Sequence, residues 1–172
     1  YENVLVTRVH PEYILGEYLP SVQSLEDVDE AFWDRRFEQI RAFEQTLAAN
    51  GTLIYKFFLN ISKEAQRQRL LRRLRLREKH WKFSPGDLDE RKLWDQYQAC
   101  YEDAIRRTTT DEAPWYVIPS DNKRASRLIV ASILLETLKK FKDIREPELP
   151  EEVQEKLHIY RAQLEAEKEL KS

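Results

Sequence analysis

"TLIYKFFLNISKEAQRQRLLRRL", Thr52 to Leu74, changes its period in the middle. Up to Leu59 it is a run of aromatic and aliphatic side chains, the composition of a largely buried strand. Ser62 is then a helix N-cap, and Leu70, Leu71 and Leu74 recur at helical spacing. A buried strand feeding directly into a helix is the building unit of an α/β protein. The unit returns at "WYVIPSDNKRASRLIVASILLETLKKF", Trp115 to Phe141. Here a short apolar strand meets Ser120-Asp121 at the turn. The following helix is apolar over much of its circumference and is expected to be largely buried. Strands joined through helical crossovers pair in parallel.

The rest of the chain fits around these two units. "SLEDVDEAFWDRRFEQIRAFEQTLAANG", Ser24 to Gly51, predicts one long helix. Ser24 and Asp27 form a capping-box pattern, and Trp33, Phe37, Ile40, Phe43 and Leu47 make its apolar face. Asn50-Gly51 ends it. Ser84-Pro85 predicts the start of a second long helix over "GDLDERKLWDQYQACYEDAIRR", with Pro85 at its first position. Its apolar side is Leu93, Trp94, Tyr97, Tyr101, Ala104 and Ile105. "ENVLVTRV", residues 2–9, suits strand and helix alike, and its periodicity does not decide. Pro147 and Pro150 precede a charged helix with Val153, Leu157, Tyr160 and Leu164 on one stripe, suited to docking, to oligomer formation or to a loosely attached tail. Two or three strands are few for a parallel sheet, which needs both faces covered. The expectation is that further strands lie upstream of Tyr1, in keeping with a 172-residue sequence that contains no methionine.

Composition excludes several functions. The formal net charge is -2, so the protein is no polycation and any basic function is local. One cysteine, Cys100, excludes an internal disulfide and suits a reducing, cytoplasmic setting. No apolar run reaches the roughly 20 residues of a membrane span, and the opening has no signal-peptide pattern. His10, His80 and His158 have no metal-ligand spacing. The glycines are Gly16, Gly51 and Gly86, from which no Gly-x-x-x-x-Gly-Lys phosphate loop can be built.

The most unusual stretch is "RQRLLRRLRLREKHWK", Arg67 to Lys82, with eight basic side chains. At about 100° per residue, Arg69, Arg72 and Arg73 fall within one arc opposite the leucines. Arg69 and Arg73 are four apart, a repulsive like-charge spacing. Two readings compete: a solvated face or one paired with the acidic helix carrying Glu102 and Asp103, and a site for a polyanion. Arginine favours the second, because its guanidinium fork takes two phosphate oxygens at once. Nucleic acid fits poorly, since no aromatic platform is interleaved with the arginines. Locally, Trp81 reads as a packing residue, Asp87 as a capping carboxylate, and Ser120-Asp121 with Lys123 as a helix N-cap.

Five separated segments together resemble the polyphosphate kinase 2 family. They are "YENVLVTRVH", "NISKEAQRQRLLRRL", "EKHWKFSPGDLDER", "WDQYQACYEDAIRRT" and "DEAPWYVIPSDNKRASR", in family order over about residues 1–142. The resemblance implies a partial P-loop kinase fold. That is an α/β, thymidylate-kinase-like parallel sheet with helices on both faces, plus a helical lid and a C-terminal helix. It implies a C-terminal kinase part at 1–142, with the lid at about 63–110, and a helical tail at 143–172. It implies transfer of the terminal phosphoryl group of inorganic polyphosphate to a nucleoside mono- or diphosphate, with magnesium. Family lids carry arginines where Arg69 and Arg73 stand, and a carboxylate at Asp87; these three are the catalytic candidates. Arg8, Arg72, Lys79, Lys82, Asp121 and Lys123 are the implied phosphate-binding candidates, with no metal ligand in the chain. The family's Gly-rich phosphate loop and most magnesium ligands are expected upstream of Tyr1, so residues 1–172 alone are expected to be inactive. A homo-oligomer is expected. The alternative is a polyphosphate-binding or oligomerisation module without chemistry.

Overall fold

Residues 2–9, ambiguous by pattern, form a helix, α1 (Glu2–Val9). Tertiary packing overrides its β-branched content: Val4 and Thr7, three apart and both buried, lie on one side of α1. A 3-10 segment at Pro11–Glu17 carries Ile14 into the core. The core is Val4, Ile14, Val22, Phe32, Trp33, Phe37 and Ala104. This computed structural model describes residues 1–17, 19 and 21–169.

The long helix α2 runs Glu30–Ala49, starting later than the Ser24 signal implies. The Asp27 carboxylate does accept from the backbone N–H groups of Gln23 and Ser24, both at 2.9 Å. That box closes only a 3-10 turn, Leu25–Asp27. The true cap is Asp29, which accepts from Phe32 N at 2.7 Å directly before the apolar periodicity begins. Gly51 ends the run in the left-handed region, at φ 83°, where glycine carries no Cβ penalty. Of the apolar face, Trp33 and Phe37 are buried, whereas Phe43 is exposed.

The sheet has two parallel strands among the described residues, β1 (Lys56–Asn60) and β2 (Trp115–Pro119), in register Lys56↔Trp115 through Asn60↔Pro119. Phe57 packs on Tyr116 and Phe58 on Tyr101, on opposite faces. Burial is less than the composition predicts: Ile118 is buried, but Leu59 and Val117 are more than half exposed. With one neighbour each, both strands are edges.

β1 feeds α3 (Lys63–Arg75) through Ser62, whose hydroxyl accepts from Ala65 N at 3.0 Å. A 3-10 segment, Arg77–Lys82, follows. The expected single helix from Pro85 is two, α4 (Gly86–Lys92) and α5 (Trp94–Thr108), parted at Leu93 with φ -88° and ψ 14°. The break lets Glu90 turn back toward the body. Its carboxylate accepts from Tyr97 OH at 2.6 Å and meets His10 Nε2 at 3.0 Å. The Glu90 hydrogen bond holds the His10 imidazole above its ordinary pKa. This contact therefore stabilises fully below the unfolded value of about 6.5 and is lost as pH rises through the raised folded value. Glu90→Gln is expected to reduce that slope in stability measured between pH 5 and 9, leaving the smaller part due to Glu12, with a change of no more than about 1 kcal/mol for so exposed a carboxylate.

β2 leads to α6 (Lys123–Leu138). The expectation of burial fails here: Leu128, Leu134, Leu135 and Leu138 are exposed. A fully apolar circumference states what the helix requires, and this chain covers little of it. The chain divides into two compact units, Tyr1–Ile133 and Leu134–Ser172. The second holds α7 (Glu151–Glu155) and α8 (Leu157–Glu169), with Leu157, Tyr160 and Leu164 exposed along α8.

One buried polar group stands apart. Lys56, the first residue of β1, donates through Nζ to Glu44 Oε2 at 2.6 Å, Thr108 O at 2.8 Å and Tyr1 OH at 3.1 Å. Tyr1 OH in turn donates to Glu44 Oε1 at 2.7 Å, and burial pushes its phenol well above the usual range. All three ammonium protons have acceptors. The cluster ties α1, α2, β1 and the end of α5 together.

Candidate functional site

Parallel strands deliver their carboxyl ends to one side of a sheet, and ligands bind in the crevice there. In this chain those ends are Asn60-Ile61-Ser62 and Pro119-Ser120-Asp121-Asn122. An open cleft of about 470 Å³ lies between them, floored by Val117 and walled by Ala125 and Ile129 of α6. No aromatic ring lines it.

Three hydrogen bonds fix the two turns. Ser120 N donates to Asn60 O at 2.7 Å, and Ser62 N donates to Asp121 Oδ1 at 2.7 Å. That backbone donor holds the Asp121 carboxyl below its ordinary pKa. Arg69 Nη2 donates to Ser120 O and reaches Asp121 O at 3.5 Å. The basic helix is thus clasped to the second turn by its own arginine.

Lys123 stands at the start of α6 beside this clasp. Its ammonium is held below the ordinary lysine range, first by the Arg69 guanidinium, then by partial desolvation, then by Arg127, Arg72 and Lys79. Lys123 thus feels four cations, from α3, the 3-10 segment and α6. Arg72, Lys79, Lys123 and Arg127 have no ion-pair partner among the described residues. Asp121, the nearest carboxylate in sequence, is directed at Ser62. Repulsion among these cations is relieved when an anion enters between them.

The remaining candidates sit elsewhere. Arg73 Nη1 donates to Lys82 O at 3.2 Å and to Asp87 Oδ2 at 3.3 Å. Asp87 also accepts from Ser84 N at 3.2 Å. Arg73 and Asp87 therefore pin the Ser-Pro-Gly turn back onto α3. Arg91 adds a second tie, to Lys63 O at 2.8 Å and Gln66 Oε1 at 2.7 Å. Lys82 lies 4.8 Å over the Trp81 ring, a cation–π contact at an exposed site. Arg8 joins none of these: it pairs with Asp103 of α5 and lies over the Trp33 and Phe37 rings.

Thus Arg69, Arg72, Lys79 and Lys123 come together, with Asp121 as their support. Arg73, Lys82 and Asp87 form a separate brace, and Arg8 is a core strut. Sequence reasoning missed Arg127, though its spacing of four from Lys123 was there to read, and missed the buried Lys56. Among the described residues no group of three or more His, Cys, Asp or Glu side chains is placed to hold a metal ion. Asp87 and Asp121 are each committed to the contacts above, so these residues do not make a magnesium site.

The chain resembles known proteins over this region. A family model for Polyphosphate kinase 2 (PPK2) matches residues 21–146. An ADP-polyphosphate phosphotransferase from Rhodopseudomonas palustris is 45% identical over 142 residues, covering 83% of this chain and 48% of that protein. An AMP/ADP-polyphosphate phosphotransferase from Meiothermus ruber is 50% identical over 137 residues, covering 80% and 49%. The crystal structure of a polyphosphate kinase 2 from Arthrobacter aurescens superposes with a TM-score of 0.75 at 37% identity, covering 93% of this chain and 52% of that one. The chain spans about half the length of these relatives. No helix among the described residues is long and apolar enough to cross a membrane.

Proposed function

The chain belongs to the polyphosphate kinase 2 family, and from that premise we propose that the whole protein is a polyphosphate-dependent nucleotide kinase. It moves the terminal phosphoryl group of inorganic polyphosphate to a nucleoside mono- or diphosphate. The acceptor's terminal phosphate oxygen attacks the end phosphorus of the chain. The P–O bond to the next phosphate breaks, and the shortened polyphosphate leaves with the electron pair. The observation that carries this reading is the cation cluster around Lys123, next to the Ser120-Asp121 turn to which Arg69 is hydrogen-bonded. A linear polyanion offers charge and no base to stack.

In this reading Arg69, Arg72, Lys79 and Lys123 bind phosphoryl oxygens and neutralise the charge that spreads over them in transfer. Residues 63–110 act as a lid, closing α3 over the phosphates and excluding water. Arg73 and Asp87 keep the lid's turn in shape, so Arg73 acts in part by positioning. Magnesium accompanies the reaction with ligands outside residues 1–172. Those residues alone bind polyphosphate without turning it over, since no phosphate loop is among them. A cytoplasmic homo-oligomer is part of the same proposal, supported by the single free Cys100 and the exposed leucines of α6.

The test is turnover by the whole protein with polyphosphate, magnesium and ADP or AMP. Formation of ATP or ADP is the expected result, and no polyphosphate-dependent product with either acceptor sinks the reading. Arg73→Ala is expected to lower turnover several-fold. Unchanged turnover in that variant removes the lid assignment.

A further inference from the structure

We propose that His10 and Glu90 form a proton-operated latch, which fixes the α3–α4 hairpin to the body of the protein and releases it as pH rises. The inference rests on the lid reading above and deepens it, by naming a device that regulates the lid. The hairpin is braced within itself. Arg73 meets Asp87 at the turn, and Arg91 of α4 donates to Lys63 O and Gln66 Oε1 at the base of α3. Apolar packing does little to hold α4 down, because none of its residues is buried. A segment held so opens at low cost. Polar straps join the hairpin to the body, among them Arg69 of α3 at the Ser120 carbonyl and Glu90 of α4 at His10. The break at Leu93 parts α4 from α5, so Glu90 moves with the hairpin while Tyr97 stays with α5.

The geometry around His10, the C-cap of α1, is that of a charged ring. Its Nδ1 faces Glu12 Oε1 at 3.2 Å, and its Nε2 faces Glu90 Oε2 at 3.0 Å. A neutral imidazole has one N–H and one lone pair, so either tautomer turns a lone pair toward a carboxylate. Only the imidazolium donates to both. Tyr13 stacks on the ring at 5.2 Å, and Tyr97 lies tilted to it at 6.4 Å. The groups facing His10 are thus Glu12 and Tyr13 from the 3-10 segment, Glu90 from α4 with Asp89 beside it in sequence, and Tyr97 from α5. The Tyr97 hydroxyl donates to the same Glu90 oxygen at 2.6 Å. The Glu90 hydrogen bond, and after it Glu12, hold His10 above its ordinary pKa. Latching therefore takes up a proton. The latch is complete below about pH 6.5 and weakens as pH rises through the raised value. Glu12 sits two residues from His10 on the body, so of the two carboxylates Glu90 is the one that resists opening.

The experiment follows amide hydrogen exchange of α4 in the whole protein at about pH 5.5 and about pH 8.5, either side of the histidine range, each rate corrected for intrinsic exchange at that pH. Protection of Gly86–Lys92 is expected to fall about threefold at the higher pH, the scale of an exposed charge pair, while protection of α2 holds. His10→Gln and Glu90→Gln are each expected to leave α4 at the lower protection at both pH values. Tyr97→Phe keeps the pH dependence, because His10 still meets Glu90. Adding inorganic polyphosphate is expected to raise α4 protection. Wild-type protection of α4 that is flat with pH overturns the latch. So does a slope that survives in Glu90→Gln, or one that α2 shares, which is global unfolding. A pH slope in α4 with no response to polyphosphate overturns the lid reading instead, and with it the part the latch plays in opening.

Discussion

Replacing Arg69 with alanine in the whole protein is expected to lower kcat with polyphosphate by about 100-fold, the loss typical of removing one preorganised donor from a site of developing charge. Arg69 is distinguished from the other arginines of α3 by being held. Its guanidinium is clasped to the carbonyls of Ser120 and Asp121 while lying nearest, electrostatically, to Lys123. A fork fixed on one side presents its remaining N–H groups without further loss of side-chain freedom. Arg69→Lys keeps the charge and loses the fork, so it is expected to recover only part of the rate. The competing view makes Arg69 a strap between α3 and the second turn. A strap predicts a lower melting temperature with kcat intact, and a catalytic donor predicts the reverse. Water can replace the guanidinium at two carbonyls of an open cleft, so the expected change in melting temperature is small.

The largest effect on stability is expected from the Lys56 cluster. Glu44→Ala leaves an ammonium enclosed with two neutral acceptors, Thr108 O and Tyr1 OH. Removing one partner of a buried ion pair costs about 3–5 kcal/mol, a large share of the roughly 5–15 kcal/mol that holds a domain folded. Lys56→Met alone is expected to be similarly damaging, because Glu44 is then buried with only Tyr1 OH as donor. The double variant Lys56→Met with Glu44→Leu is expected to regain most of the loss, since well-packed apolar replacements of such pairs are often neutral. Urea unfolding of the three variants measures the cycle. Additive losses in the double variant exclude the pairing as the source of the effect.

How much was legible in the sequence differed by feature, for physical reasons. The βα unit at Thr52–Leu74 could be read because Ser62 is a local signal and the strand's aromatics are dense; cap and helix stand where that reading puts them, and the strand starts later than its composition does, at Lys56. The parallel pairing followed from chain order. The start of α2 was misread because two capping patterns, Ser24 with Asp27 and Asp29, lie within six residues, and either can close a turn. The break at Leu93 carries no glycine or proline; its cause is tertiary, in the meeting of Glu90 with His10 and Tyr97. Lys56 was passed over because a lone lysine in a strand usually marks an edge, and its acceptors come from residues 1, 44 and 108. The exposed leucines of α6 show the limit of periodicity: it tells which side chains seek cover and is silent on what supplies it. At the site, the arc of Arg69 and Arg72 was visible on a helical projection. The convergence of that arc on Lys123 needed the sheet, which brings residues 60 and 120 side by side.

That pairing also sets an order of events. Lys56 and Trp115 are opposite each other in the sheet, so the strands meet only after a loop of nearly sixty residues has closed, and closure entropy opposes such a contact until it forms. Within residues 62–93 of that segment the ties join nearer neighbours. Glu64 meets Arg67, Arg73 meets Asp87, and the longest hydrogen bond there is Arg91 to Lys63. Contacts of that range form early in folding, before distant strands find their register. The basic helix and its turn are therefore assembled while β1 and β2 are still apart, and their charge is in place before the cleft exists. A polyanion present during folding meets α3 first, and the sheet then closes beside a ligand already held.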